Sequence, residues 1–245
     1  TAILKEGIPV HFEWTSNDGP FLDTLTQYLT RLKITQGYLH CEDGFLSDIR
    51  SGFFLTTHQP TAQFAEARFE NQYRILNISG FFLTLPGTTP KAALVPHLHI
   101  TCQRSNQGSP GSILGGHLMD AATGHIKGNI VPLMGMPLTR ETNPATGVMH
   151  IRSSAQDQSQ RSDGDTVVFA LPPDDEFPSG LVNALSDSKL TAGQLRFAVG
   201  TLWDATLLND TGQQVLNPQD GLEVTFATGQ PAQRSATEPP NVVVH

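Results

Sequence analysis

Apolar and polar residues alternate over residues 8–14, with Val10, Phe12 and Trp14 on one side and His11 and Glu13 on the other. That is the period of a half-buried strand. Asn17 and Asp18 follow as helix N-cap types, and Phe21, Leu22, Leu25, Tyr28, Leu29 and Leu32 then recur at helical spacing. The pattern predicts one amphipathic helix of about four turns. Residues 37–40 and 45–49 read as short strands around a turn at Asp43 and Gly44. Residues 72–84 form a long apolar-rich run interrupted by Gly80, which predicts a central strand bulged or bent at the glycine.

Two further strands are predicted over residues 97–103 and 113–118, joined by a turn-forming loop from Ser105 to Pro110. Residues 126–134 and 147–151 supply two more. The simplest packing is an α/β (α+β) fold, a curved and mainly antiparallel sheet with a helix on one face.

From Ser153 to Asp165 the chain is Ser, Gln, Asp and Arg with Ala155 as its one apolar residue, which predicts a linker. The pattern then restarts: a strand over 167–171, a shorter helix over 178–185 and a strand over 194–199. Gly200, Leu202 and Asp204 repeat Gly44, Leu46 and Asp48 at the same offsets, and residues 222–229 echo residues 73–80. The expectation is a duplicated domain: a first copy over 1–152, a linker over 153–165 and an incomplete second copy over 166–245. The second copy ends at His245, where its histidine strand would begin.

His97 and His99 lie two apart in a strand, so both point to one face. A loop closing symmetrically about Gly108 sets His99 opposite His117 and His97 diagonal to it. Three imidazoles then converge, the ligand set of a zinc site with an open position, although imidazole also suits nickel, copper and iron. Gly115 and Gly116 beside His117 allow close backbone approach or an unusual dihedral. Asp120 is the nearest carboxylate in sequence that could support the cluster. Arg140 is a candidate ligand-binding residue for an anion near the cluster, or the partner of a structural ion pair.

Composition narrows the remaining choices. Lys and Arg total 15 against 23 Asp and Glu, a formal net charge of −8, which opposes direct binding to DNA. No apolar stretch approaches the roughly 20 residues of a membrane helix. Cys41 and Cys102 have no metal-ligand spacing; they could pair, but the simpler reading is two buried thiols, with the cytoplasm as the default compartment. The G-x-S-x-G, P-loop and G-x-G-x-x-G motifs are absent, which removes support for esterase, ATP and NAD chemistry.

The runs Pro96-His97-Leu98-His99-Ile100, Gly115-Gly116-His117-Leu118, Leu138-Thr139-Arg140-Glu141 and Thr146-Gly147-Val148, with Tyr73-Arg74-Ile75-Leu76-Asn77-Ile78-Ser79-Gly80 upstream, form one ordered series. That series resembles the motifs of the PPC family, the plants and prokaryotes conserved domain, over about residues 8–152. The resemblance implies a curved antiparallel sheet, a homotrimer, and a histidine cluster that in some members holds a metal. It also implies a link to DNA, yet this chain carries no Arg-Gly-Arg-Pro hook. Three readings follow: a divalent-metal site, zinc foremost, that receives a small anionic ligand or water; a DNA-associated oligomerisation module with contacts supplied by a partner; and a structural trimer whose histidines titrate at its interface. The residues specify no reaction.

Overall fold

A computed structural model describes residues 2–56, 63–85, 94–104, 111–142, 144, 149–153, 164–171, 176–188 and 194–202, and short segments at 205–209, 212–216, 222–224, 229–232 and 241–244. The first strands are β1 (Ala2–Glu6) and β2 (Val10–Thr15), followed by helix α1 (Phe21–Arg31). Five strands come next: β3 (Gln36–Thr56), β4 (Gln63–Phe69), β5 (Tyr73–Thr84), β6 (Leu94–Arg104) and β7 (Ile113–Met134). Strands β8 (Leu138–Thr142) and β9 (Met149–Ser153) pair with each other, and β10 (Thr166–Val168) and helix α2 (Phe177–Asp187) follow.

The helix starts where local chemistry allows it. Asp18 accepts hydrogen bonds from the backbone N and the Oγ1 of Thr15, at 3.0 and 2.9 Å, which fixes the turn before Pro20. Phe21, Leu25 and Leu29, one turn apart along one stripe, are fully buried. The helix has 11 residues, about three turns, and is shorter than the apolar spacing suggests because Leu32 already caps it and is exposed.

The main sheet runs β10-β1-β7-β6-β5-β3-β4, with β2 also on β7. Every pairing in it is antiparallel. Residues 37–41 of β3 pair with β5 on one side and β7 on the other, so β3, β5, β6 and β7 form a closed ring of pairings. Two expectations are corrected here. The turn expected at Asp43 and Gly44 is instead a register shift between Cys41 and Asp43 within one 21-residue strand. The separate strands over 113–118 and 126–134 are likewise one 22-residue strand. Bulges let a long strand bend without ending, and they interrupt the alternation that sequence reading uses.

Alternation gives the sheet two faces. Leu39, Cys41, Ile78, Phe82, Leu98 and Ile100 face α1 and join Phe12, Trp14, Phe21, Leu25 and Leu29 in the main core. Cys41 and Cys102 are free thiols in that core, and burial pushes each up to about 12. Tyr38, Phe81, His97 and His99, which flank Leu39, Phe82, Leu98 and Ile100 in β3, β5 and β6, take the opposite face. There a second cluster gathers Leu4, Tyr38, Val131, Leu133, Leu138 and Val168, with Phe81, Ile151 and Phe197 packed against it.

The later residues are described only in part. Of the strand expected over 167–171 only its start is found: residues 166–168 form a short strand, on β1 of the first half, with Ala2 opposite Val168. The helix over 177–187 matches the expected shorter helix, whereas residues 194–199 do not form the expected strand and carry only an isolated bridge at Leu195. Residues 154–163 of the linker expected over 153–165, and Asp204 of the repeated motif, lie outside the described residues.

Candidate metal centre

The site begins at Gly80, whose φ is +156° and where an added Cβ would stand 2.1 Å from the carbonyl oxygen of His97 and 2.8 Å from the Cα of Leu98. A side chain there would overlap the β6 backbone, so glycine is what lets β6 approach and carry His97 into place. The bulge in β5 falls between Ile75 and Asn77, not at Gly80. Gly116 serves β7 similarly: its φ is +150°, and a Cβ would stand 2.8 Å from the carbonyl oxygen of Gly52.

Across these strands Ser79 pairs with His99, and His99 pairs with His117, the register expected from the loop length. His97 pairs with Phe81. The three rings meet with centroids 5.1 Å apart for His97 and His99, 5.0 Å for His97 and His117, and 4.2 Å for His99 and His117. Their candidate ligand nitrogens all lie within 4.8 Å of one another.

The fit to a metal can be tested on distance and charge. The Nε2 atoms of His97 and His99 stand 3.1 Å apart. Two imidazole nitrogens on one tetrahedral ion with Zn–N near 2.0–2.1 Å are separated by about 3.3 Å. Without an ion, the same distance makes one imidazole the hydrogen-bond donor to the other.

Burial pushes His97 down to about 3, with the nearby charges of His117 and Arg140 adding to it. Burial also holds His99 well below the usual imidazole range, reinforced by His117 and His97. These two imidazoles are therefore neutral near pH 7, the form a metal requires. The cluster itself contains no carboxylate or thiol among the described residues. An all-imidazole donor set is of the kind that suits borderline metals.

Arg140 arrives from β8, where it pairs with Ile151 of β9. Its Nη2 donates to Nδ1 of His97 at 3.4 Å, a long contact. Burial lowers the guanidinium from its ordinary value without making it neutral at pH 7. No sequence spacing links residues 97 and 140; the β8–β9 pair brings them together.

Asp120 does not join the cluster. Its Oδ1 accepts from the backbone N of Ala121 at 2.8 Å and lies 3.5 Å from the backbone N of Leu22, so it serves the start of α1. Phe64 of β4 is the residue that sequence reasoning missed. Its ring stands edge-on to His117 at 5.6 Å and is 43% exposed, which makes it a rim of the site. Gly52, across β3–β7 from His117, leaves the space the Phe64 ring occupies.

His11, His40 and His125 stay apart from the cluster. His40 meets Glu42 at 2.7 Å and His125 meets Glu13 at 2.8 Å, both at the surface.

Residues 16–131 match the family model of the Plants and Prokaryotes Conserved (PCC) domain, a span that contains all three histidines and stops short of Arg140. Several solved structures are similar. A plant- and prokaryote-conserved (PPC) protein from Pyrococcus horikoshii is 17% identical, with 58% of this chain and 90% of that one covered and a TM-score of 0.48. A metal-containing protein from Archaeoglobus fulgidus is 16% identical, with 61% and 97% covered and a TM-score of 0.49. A candidate DNA-binding protein from Bacteroides thetaiotaomicron is 20% identical, with 63% and 100% covered and a TM-score of 0.48. No curated protein matches the chain.

Proposed function

Taking residues 16–131 as a Plants and Prokaryotes Conserved domain, we propose that this chain holds a divalent metal, zinc foremost, on His97, His99 and His117 and receives a small anion there. The observation that carries the reading is the 3.1 Å separation of two imidazole nitrogens inside a cluster of three. An ion so held supplies a Lewis-acid position for an anionic group or for water.

The chain's own groups divide the remaining work. His97 and His99 arrive neutral, so no proton has to leave either at pH 7. His97 also links the metal to the anion. With Nε2 committed as a ligand, its ring proton sits on Nδ1, and Nδ1 can then no longer accept from Arg140. The guanidinium is released toward an incoming carboxylate or phosphate, which it can grip with two N–H groups. Anion binding therefore depends on the metal.

Metal analysis of the purified chain beside the His97→Ala, His117→Ala double variant tests the reading. Zinc in the first and none in the second supports it. The net charge of −8 argues against phosphate-backbone binding by the chain alone. A steep loss of duplex DNA affinity with salt would overturn that part of the reading.

A further inference from the structure

The later part of the chain reaches the histidine face at one place. Phe197 packs on Phe81 with ring centroids 4.8 Å apart and on Tyr38 at 5.4 Å. Phe81 is the residue directly across β5–β6 from His97, and opposed side chains share a face with Cβ atoms about 4.5–5.5 Å apart. Phe197 is thus one side chain removed from a candidate ligand.

The contact is anchored beside it. Arg196 lies 3.9 Å from the carboxylate of Glu6, and Glu6 accepts a 2.9 Å hydrogen bond from the phenol of Tyr38. Val168 ties the same part of the chain to β1 opposite Ala2. Ile151 and Leu138, from the strand pair that carries Arg140, join Phe197 in one apolar cluster. The aromatic contact and the Arg140 contact therefore share a support.

We propose that Arg196 and Phe197 form a clasp, seated on Tyr38 and Phe81, that walls the His97 side of the site and governs access to it. When the clasp is seated, approach is left to the Phe64 side, where His117 meets a half-exposed ring. When it lifts, the Phe81 and His97 side opens. The regulation takes its meaning from the proposed metal site, while its test needs no metal.

The test is the rate at which diethyl pyrocarbonate modifies each histidine in the chelator-treated chain, followed by peptide mass spectrometry. The reagent attacks accessible imidazole, and every variant is compared with the unmutated chain at one pH. Phe197→Ala is expected to raise the His97 rate by about tenfold, the scale of a local opening made easier by one lost aromatic contact. His125, surface-paired with Glu13 on another part of the sheet, should keep its rate, and Phe197→Tyr should behave as the unmutated chain.

Equal His97 rates in the unmutated chain and Phe197→Ala would overturn the clasp, as would an equal rise at His125, which signals general loosening. If Phe197→Ala does not fold, Arg196→Ala carries the test, with about a threefold rise expected at His97 for a weakened surface anchor. No rise there overturns the proposal. A chain that lacks zinc but shows clasp-dependent rates fails the metal reading alone. A zinc-bearing chain whose rates ignore both variants fails the clasp alone.

Discussion

A Cβ at Gly80 would stand 2.1 Å from the carbonyl oxygen of His97, so the bare glycine sets how closely the histidine strand β6 lies against β5. The glycine also holds a φ of +156°, which a side chain would strain. Gly80→Ala should therefore cost about 1–3 kcal/mol from backbone strain alone, with the overlap adding to it. Urea denaturation of the metal-free chain measures the loss. The same variant should bind zinc more weakly, because His97 is displaced first. Unchanged stability would mean the two strands can separate freely.

The histidines give the metal-free chain a pH signature. An imidazole that titrates near 6.5 when unfolded and is held down to about 3 when folded binds more protons in the unfolded state between those values. Its burial is harmless above about pH 6.5 and increasingly destabilising as pH falls toward 3. The thermal midpoint should drop across that window, and His97→Phe should flatten the drop. A midpoint independent of pH from 6.5 to 4 would contradict the burial of neutral imidazole.

On the proposed reading Arg140 serves the anion and not the metal. Arg140→Ala should leave zinc content intact while weakening phosphate affinity by about tenfold or more, the scale of a lost charge-assisted pair. Arg140→Lys should restore little, since a single ammonium does not reproduce the two-pronged grip. Calorimetric titration of phosphate into zinc-loaded and zinc-free chain measures both effects. Phosphate binding of equal strength without zinc would break the proposed link through the His97 tautomer.

Asp120 provides the contrasting case. Because it faces the first turn of α1, Asp120→Ala should lower stability by about 1 kcal/mol and leave zinc affinity unchanged. Zinc affinity falling tenfold would return Asp120 to the site.

The parts of this picture that were legible in the sequence are those governed by short-range rules. Strand periodicity put His97 and His99 on one face, and loop length set the His99–His117 register. Apolar spacing also found α1, and the buried stripe of Phe21, Leu25 and Leu29 explains why. Strand continuity was not legible. Glu42, Asp43 and Gly44 look like a turn, yet the bulge after Cys41 absorbs the irregularity and the strand continues.

Contacts between distant segments were also hidden. Arg140 meets His97 because β8 and β9 pair beside the sheet, and Phe197 meets Phe81 because an apolar cluster spans both halves of the chain. Asp120 shows the converse, a neighbour in sequence whose carboxylate turns to the first turn of α1 instead of the cluster.

Zinc content of the purified chain, measured by mass spectrometry of the metal, tests the central claim most directly. About one zinc per chain is expected, by the open three-histidine stoichiometry, with loss in the His97→Ala, His117→Ala variant. Zinc, nickel, copper and iron all at background in the unmutated chain, before and after incubation with each ion, would contradict it.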